Sequence, residues 1–293
     1  VKNILILFLF SSALLSQGLS DYTFSTAQSS SLAGAVVSNR GGSWSLYNNP
    51  ATLVELKENR FSLGHSKLYG QDFLPLSSIG IIISKFKINF GFKYSSLSVK
   101  NNNIELLNED LLGIVTGINL LKDKNSSLAI GISANYHMIH FGSSAGVSGD
   151  GSDGLNSKMI SAIGVDIGFL GSLRGKNRLG VFIKNINSPI IGKGMSIQNL
   201  PRKIHIGLTT IPNDAMEVSF TMEQLLGYHD AQYRTALQYK INQFLSLNTG
   251  IQINPNRFGC GFNIEKNNFS ISYGYLTHHV LPGTHQFNFG MHY

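Results

Sequence analysis

The sequence predicts an all-β fold: a transmembrane antiparallel β-barrel of about 14 strands, preceded by a short N-terminal hatch or plug segment. Three observations carry this. From about Arg60 to the end, apolar residues recur with period two, the mark of strands whose two faces meet different surroundings. The recurring segments run close to ten residues each, the length a tilted strand needs to cross a bilayer. The connections between them alternate short and long, as they do when short turns gather at one rim of a barrel and longer loops at the other.

In chain order, the first feature is the uninterrupted apolar run Ile4 to Leu15, with Lys2 before it and Ser16, Gln17 and Gly18 after it. It has the length of a signal-peptide core and is too short to span a bilayer as a helix. Residues 1–18 are therefore read as a signal peptide, with cleavage near Gly18 to Ser20. Residues 19–59 follow, rich in small residues and without a sustained period. Their apolar members Leu32, Val36, Val37, Trp44, Leu46 and Tyr47 favour a segment folded into the lumen over one hanging free.

Residues 60–293 form the expected barrel. Strands are read near 60–67, 77–85, 88–97, 110–121, 127–141, 158–171, 177–187, 201–211, 215–224, 230–241, 244–253, 257–265, 268–276 and 284–293. Ile88, Phe90, Phe92 and Tyr94 alternate with Asn89, Gly91, Lys93 and Ser95. Leu245, Leu247, Thr249, Ile251 and Ile253 likewise alternate with Ser246, Asn248, Gly250 and Gln252. The short connections are Phe86-Lys87, Lys122 to Ser126, Ser172 to Lys176, Pro212 to Asp214, Asn242-Gln243 and Lys266-Asn267. Asn254 to Asn256 is the one short connection in a long-loop position.

A soluble β-sandwich would alternate too, but its outer face would be charged. Here only 13% of residues are charged, and the polar phase is small, as at Ala162, Gly164, Asp166 and Gly168. That suits a crowded lumen. Tyr69, Phe73, Tyr136, Phe141, Tyr228 and Tyr275 are placed to form interfacial girdles. The net charge of +7 is dispersed, which argues against nucleic acid and for solvated loops and contact with outer-membrane lipids.

Other chemistries find little support. The single cysteine, Cys260, excludes an internal disulfide. His137 and His140 fall on opposite faces of one strand, and His278-His279 fall in a loop, so neither pair has metal-ligand geometry. The loop from Gly142 to Ser157 places Asp150 and Asp153 among glycines but lacks the terminal Glu of a calcium loop. No motif puts a nucleophile beside a base, and no Walker A loop or dinucleotide fingerprint is present. No enzyme activity, cofactor or metal is expected.

The run LAGAVVSNRGGSWSLYNNPATL, with its motif Asn49, Pro50 and Ala51, resembles the opening of the FadL/TodX superfamily of outer-membrane proteins and of its PorV/PorQ relatives. AIGVDIGFL at 162–170, LGVFIKNIN at 179–187, LPRKIHIGL at 200–208 and the closing LPGTHQFNFGMHY follow in PorV-like order. Thr52 stands where the family usually has Gly. The resemblance implies a bacterial outer-membrane location, with Asn49, Pro50 and Ala51 in a hatch that closes the lumen. It also implies passive transport of hydrophobic small molecules, which leave sideways through the wall. The alternative it implies is a PorV-like component of type IX secretion that binds the C-terminal signal of cargo proteins. Transport calls for an apolar pocket near the hatch, for which Trp44, Tyr47 and Phe182 are the candidate lining. Phe287, Phe289, Met291 and Tyr293 alternate to an aromatic end that resembles the signal read by the barrel-assembly machinery.

Overall fold

The structure, a computed structural model, describes residues 24–84, 88–101, 104–143, 147, 154, 159–192, 197–227 and 230–293. The expected signal peptide, Tyr228, and Asp150 with Asp153 lie outside the described residues.

Fourteen strands close into an antiparallel barrel in which each pairs with its neighbour in the chain and the last returns to the first. They are β1 (Arg60–Lys67), β2 (Pro75–Ile83), β3 (Asn89–Asn101), β4 (Ile104–Lys122), β5 (Ser126–Phe141), β6 (Ile160–Leu173) and β7 (Asn177–Lys184). The second half comprises β10 (Lys203–Asn213), β11 (Met216–Leu225), β12 (Gln232–Lys240), β13 (Leu245–Ile253), β14 (Arg257–Lys266), β15 (Phe269–Leu276) and β16 (Thr284–His292). Between β7 and β10 a small hairpin, β8 (Ile190–Ile191) with β9 (Gln198–Asn199), forms a separate two-stranded sheet. Closure runs from Arg60 opposite His292 to Lys67 opposite His285. Asn59 and Tyr293 exchange two backbone hydrogen bonds of 3.2 and 3.1 Å just beyond it.

The period-two reading fixes the register because each strand has one greasy and one polar face. Phe90, Phe92, Ile132, Leu247, Ile251 and Phe287 are exposed on the outside, while Asn89, Lys93, Ser133, Asn135, Asn248 and Gln252 are buried inside. So many large apolar side chains around a closed wall have no soluble explanation; they match the lipid-facing band of a membrane barrel. No helix among the described residues is long and apolar enough to cross a membrane; the crossing is made by strands.

Two features exceed the sequence reading. β3 and β4 rise beyond the expected strand ends, β3 running on to Asn101 and β4 beginning at Ile104 rather than near 110. That extension, IELLNE, carries acids in place of the greasy alternation, and Lys100 faces Glu105 at 3.9 Å near its tip. The hairpin of β8 and β9 pairs only two residues per strand, too few for a period to register.

Candidate functional site

Residues 24–59 lie within the barrel. Thr26 caps a five-residue helix, α1 (Ala27–Ser31), through a reciprocal bond with Ser29, the capping-box arrangement. A second short helix, α2 (Ser45–Asn48), leads into a 3-10 helix, Pro50–Glu55. These elements are too short to stand alone; the wall holds them.

The wall's glycines explain how closely they sit. A Cβ added at Gly180 would lie 2.6 Å from the Val37 carbonyl oxygen, and one at Gly117 would lie 2.9 Å from that of Pro50. Gly131 leaves no room for a Cβ beside the backbone of Pro50 and Ala51, nor does Gly274 beside Ala27. The small inward phase of β4 to β7 and β13 to β15 is thus a seat for plug backbone. Polar wall residues supply the bonds: Gln286 accepts from the Ser30 hydroxyl at 2.7 Å. Arg178 donates to the carbonyls of Ser38 and Asn39 at 2.7 and 3.0 Å and pairs with Glu55 at 2.7 Å.

Asn49 is fully buried. Its Oδ1 accepts from the Ala51 N–H at 3.0 Å, capping the 3-10 helix that Pro50 opens with its preset φ. Its Nδ2 donates to the Val37 carbonyl at 2.8 Å and to the Phe169 carbonyl of β6 at 3.2 Å. One side chain therefore joins both limbs of the plug to the wall. Thr52 donates to the Asn49 carbonyl at 2.7 Å.

Beside the plug, bordered by Ser25 and by the strands β2 to β7, lies a cavity of about 170 Å³. Leu76, Leu97, Leu111, Leu200 and Pro201 line it, and Tyr47 of the plug also borders it. Interspersed with them are Lys93, Lys184 and Lys203, the carboxylates Glu109, Asp110 and Asp166, and His137. Asp166 accepts from Asn135 Nδ2 at 2.6 Å and from the Asn185 N–H at 2.9 Å, with the Lys93 ammonium 3.9 Å away. Behind Lys203, Glu223 meets Lys203 at 3.5 Å, His205 at 3.3 Å and Arg234 at 2.5 Å.

Of the residues expected at a ligand site, Tyr47 borders this cavity. Its hydroxyl lies 2.6 Å from the Tyr94 carbonyl oxygen and 2.8 Å from that of Ile79, and burial pushes its phenol above the ordinary range. Phe182 is buried, stacks on His205 at 5.7 Å, and lines a smaller void that Tyr47 also reaches. Trp44 sits 6.0 Å from Tyr47, ring to ring, packed toward Gly64 of β1, and lines neither space. The lining mixes apolar and charged side chains. Lys93, Asp166, Lys184 and Lys203 stand on the inward phase of their strands, so the alternation already marked them as lumenal. Their convergence depends on the closure of the barrel, which no local pattern encodes.

No protein-family model matches the sequence, and no curated protein is significantly similar to it. Solved structures share its fold. The toluene transporter TbuX of Ralstonia pickettii superposes with a TM-score of 0.66 at 12% identity, covering 92% of this chain and 98% of that one. The toluene transporter TodX of Pseudomonas putida gives 0.57 at 13% identity over 93% and 97%. A FadL homologue of Pseudomonas aeruginosa gives 0.54 at 10% identity over 92% and 98%. The chain shares the fold of these barrels and is similar in extent to all three.

Proposed function

We propose that this chain is a conduit in the bacterial outer membrane that admits small molecules of largely apolar character and is held closed by its N-terminal plug. The observation that carries this is the cavity between the seated plug and the walls of β2 to β7, large enough for one small molecule and bordered by plug residue Tyr47. A cavity of about 150 Å³ accommodates benzene, so about 170 Å³ suits a single-ring compound. The shared architecture with toluene transporters supports the same reading. Asn49, Pro50 and Ala51 serve as the hatch's anchor, Tyr47 as a lining residue, and Phe182 and Trp44 as its support. The greasy outer band contacts outer-membrane lipid, and the aromatic last strand is what the barrel-assembly machinery reads.

The test is uptake of labelled toluene by cells with an intact outer membrane, with and without the chain expressed in it. Uptake several-fold above the empty host is expected, and rates equal to the host's would refute the conduit. The tightly filled lumen also suits a PorV-like component that captures the C-terminal signal of secreted cargo. In that case a cargo C-terminal signal fused to a reporter would bind the barrel and toluene uptake would be unchanged.

A further inference from the structure

The Lys93 side chain is laid across the inside of the wall. It leaves β3 and passes over β4 where Gly113 makes room: a Cβ there would lie 2.6 Å from Lys93 Cε and 2.7 Å from Asn135 Oδ1 of β5. Its ammonium ends 3.9 Å from Asp166 Oδ2 of β6, the two side chains being only 6% and 4% exposed. That spacing is wider than a hydrogen bond, which for N–H···O is about 2.9 Å. Asp166 is itself held in place. Its Oδ2 accepts from Asn135 Nδ2 at 2.6 Å and its Oδ1 from the Asn185 N–H at 2.9 Å, and each carboxylate oxygen keeps a further lone pair. On the plug side, the Lys93 ammonium lies 5.7 Å from the centroid of the Tyr47 ring, whose hydroxyl is turned to the carbonyls of Ile79 and Tyr94.

Lys93 and Asp166 both line the cavity. A donor and an acceptor are thus fixed there at a spacing that one oxygen atom, about 2.8 Å from each, can bridge. The three lysines and three carboxylates of the lining balance in charge, and a charged ligand would upset that balance. A purely hydrocarbon ligand would face desolvated charged groups without bonding to them, which costs free energy. A hydroxyl group is uncharged and both donates and accepts.

Resting on the conduit reading and narrowing it, we infer that the cavity takes an uncharged single-ring compound that carries a hydroxyl group, a phenol. Its oxygen accepts from the Lys93 ammonium, and its O–H donates to Asp166 Oδ2. Its ring lies against Leu97 and Leu111 of the lining; Leu111 stands opposite Ser95, two residues along β3 from Lys93. A site built to hydrogen-bond a hydroxyl discriminates against the analogue that lacks it, because its buried polar groups then go without a partner.

Phenol and toluene test this, since they differ only in a hydroxyl against a methyl group on the same ring. Equilibrium dialysis measures the binding of each labelled compound to the full chain folded in detergent micelles. Each affinity is divided by that compound's partition into protein-free micelles, which removes the difference in hydrophobicity. On that scale phenol is expected to bind at least about ten-fold more tightly than toluene, the gain of a hydrogen bond to a charged group. Lys93→Met, which keeps the length of the side chain and removes its ammonium, is expected to bring the two within about three-fold. Heat-modifiable gel mobility checks that the variant is folded, and if it is not, the native phenol-to-toluene ratio decides alone. Equal binding of the two compounds, binding of neither, or an undiminished ratio in folded Lys93→Met overturns the inference. Toluene uptake above the host's with no phenol preference in micelles would leave the conduit standing and sink the hydroxyl site, whereas uptake at the host's level would sink the conduit itself.

Discussion

Asn49 invites a substitution that separates two roles. If it only shapes the turn into the first strand, its contribution is the Oδ1 that caps Ala51 at 3.0 Å. If it also fastens the plug, the Nδ2 bonds to the carbonyls of Val37 and Phe169 matter as much. Asn49→Ala removes all three bonds in a fully buried place, at about 1 kcal/mol each, or about 3 kcal/mol of plug docking. That is roughly a hundred-fold in the ratio of seated to released plug. Asn49→Asp is the informative variant, because Asp is as good a cap as Asn but sets a carboxylate against two carbonyl oxygens. We expect it to be at least as damaging as Ala. Hydrogen exchange of a peptide covering residues 44–59 reads the outcome: a hundred-fold faster exchange in both variants, with barrel strands unchanged. Native exchange in Asn49→Asp would refute the anchoring role and leave only the turn.

Other perturbations follow from the same packing. Gly131→Ala presses a methyl group onto the backbone of Pro50 and Ala51 and should cost about 1–3 kcal/mol as overpacking does. Gly171→Ala, whose nearest neighbour would be the Leu179 carbonyl oxygen at 3.9 Å, should change stability by less than about 0.5 kcal/mol, both read from the temperature at which the fast-migrating gel band is lost. Arg178→Lys keeps the charge but loses the fork that holds Ser38, Asn39 and Glu55; about 2–4 kcal/mol of plug docking should go with it, and native plug exchange would count against this. The Tyr47 phenol holds its proton more tightly folded than unfolded, because burial raises its pKa above 10.0. Its contribution is therefore complete below about pH 10 and lost as the pH rises beyond that, by up to about 1.4 kcal/mol per pH unit. Tyr47→Phe should flatten the alkaline stability profile, and an unchanged slope would rule Tyr47 out as its source.

The barrel was legible in the sequence because lipid enforces a strict alternation: Phe90 against Gly91, Phe92 against Lys93, Ile251 against Gly250. Connections were legible for the same reason, down to the short turn at Asn254 to Asn256, which does lie between β13 and β14. Where the lipid constraint ends, so did the signal, as at the acidic foot of β4 and in the two-residue strands near Ile190 and Gln198. The site was harder to see. Gly168 was readable as part of the small lumenal phase but not as a seat for Asn49 and Pro50, and Lys184 and Lys203 stood inside the runs that carry the resemblance without being singled out. Trp44, at the N-cap of α2, packs toward Gly64 of β1, a placement set by the path of the plug rather than by any local pattern.

The path of the plug across the lumen bears on the order of assembly. Ser30 bonds to Gln286, 256 residues away; Ser38 contacts Thr209, 171 residues away; and Asn49 reaches Phe169, 120 residues away. Each is a long-range contact whose loop-closure entropy must be met before it stabilises anything. The segment that precedes the strands in the chain therefore finds its place last, after β16 has zipped onto β1, and a nascent barrel stays open along its axis until that strand arrives.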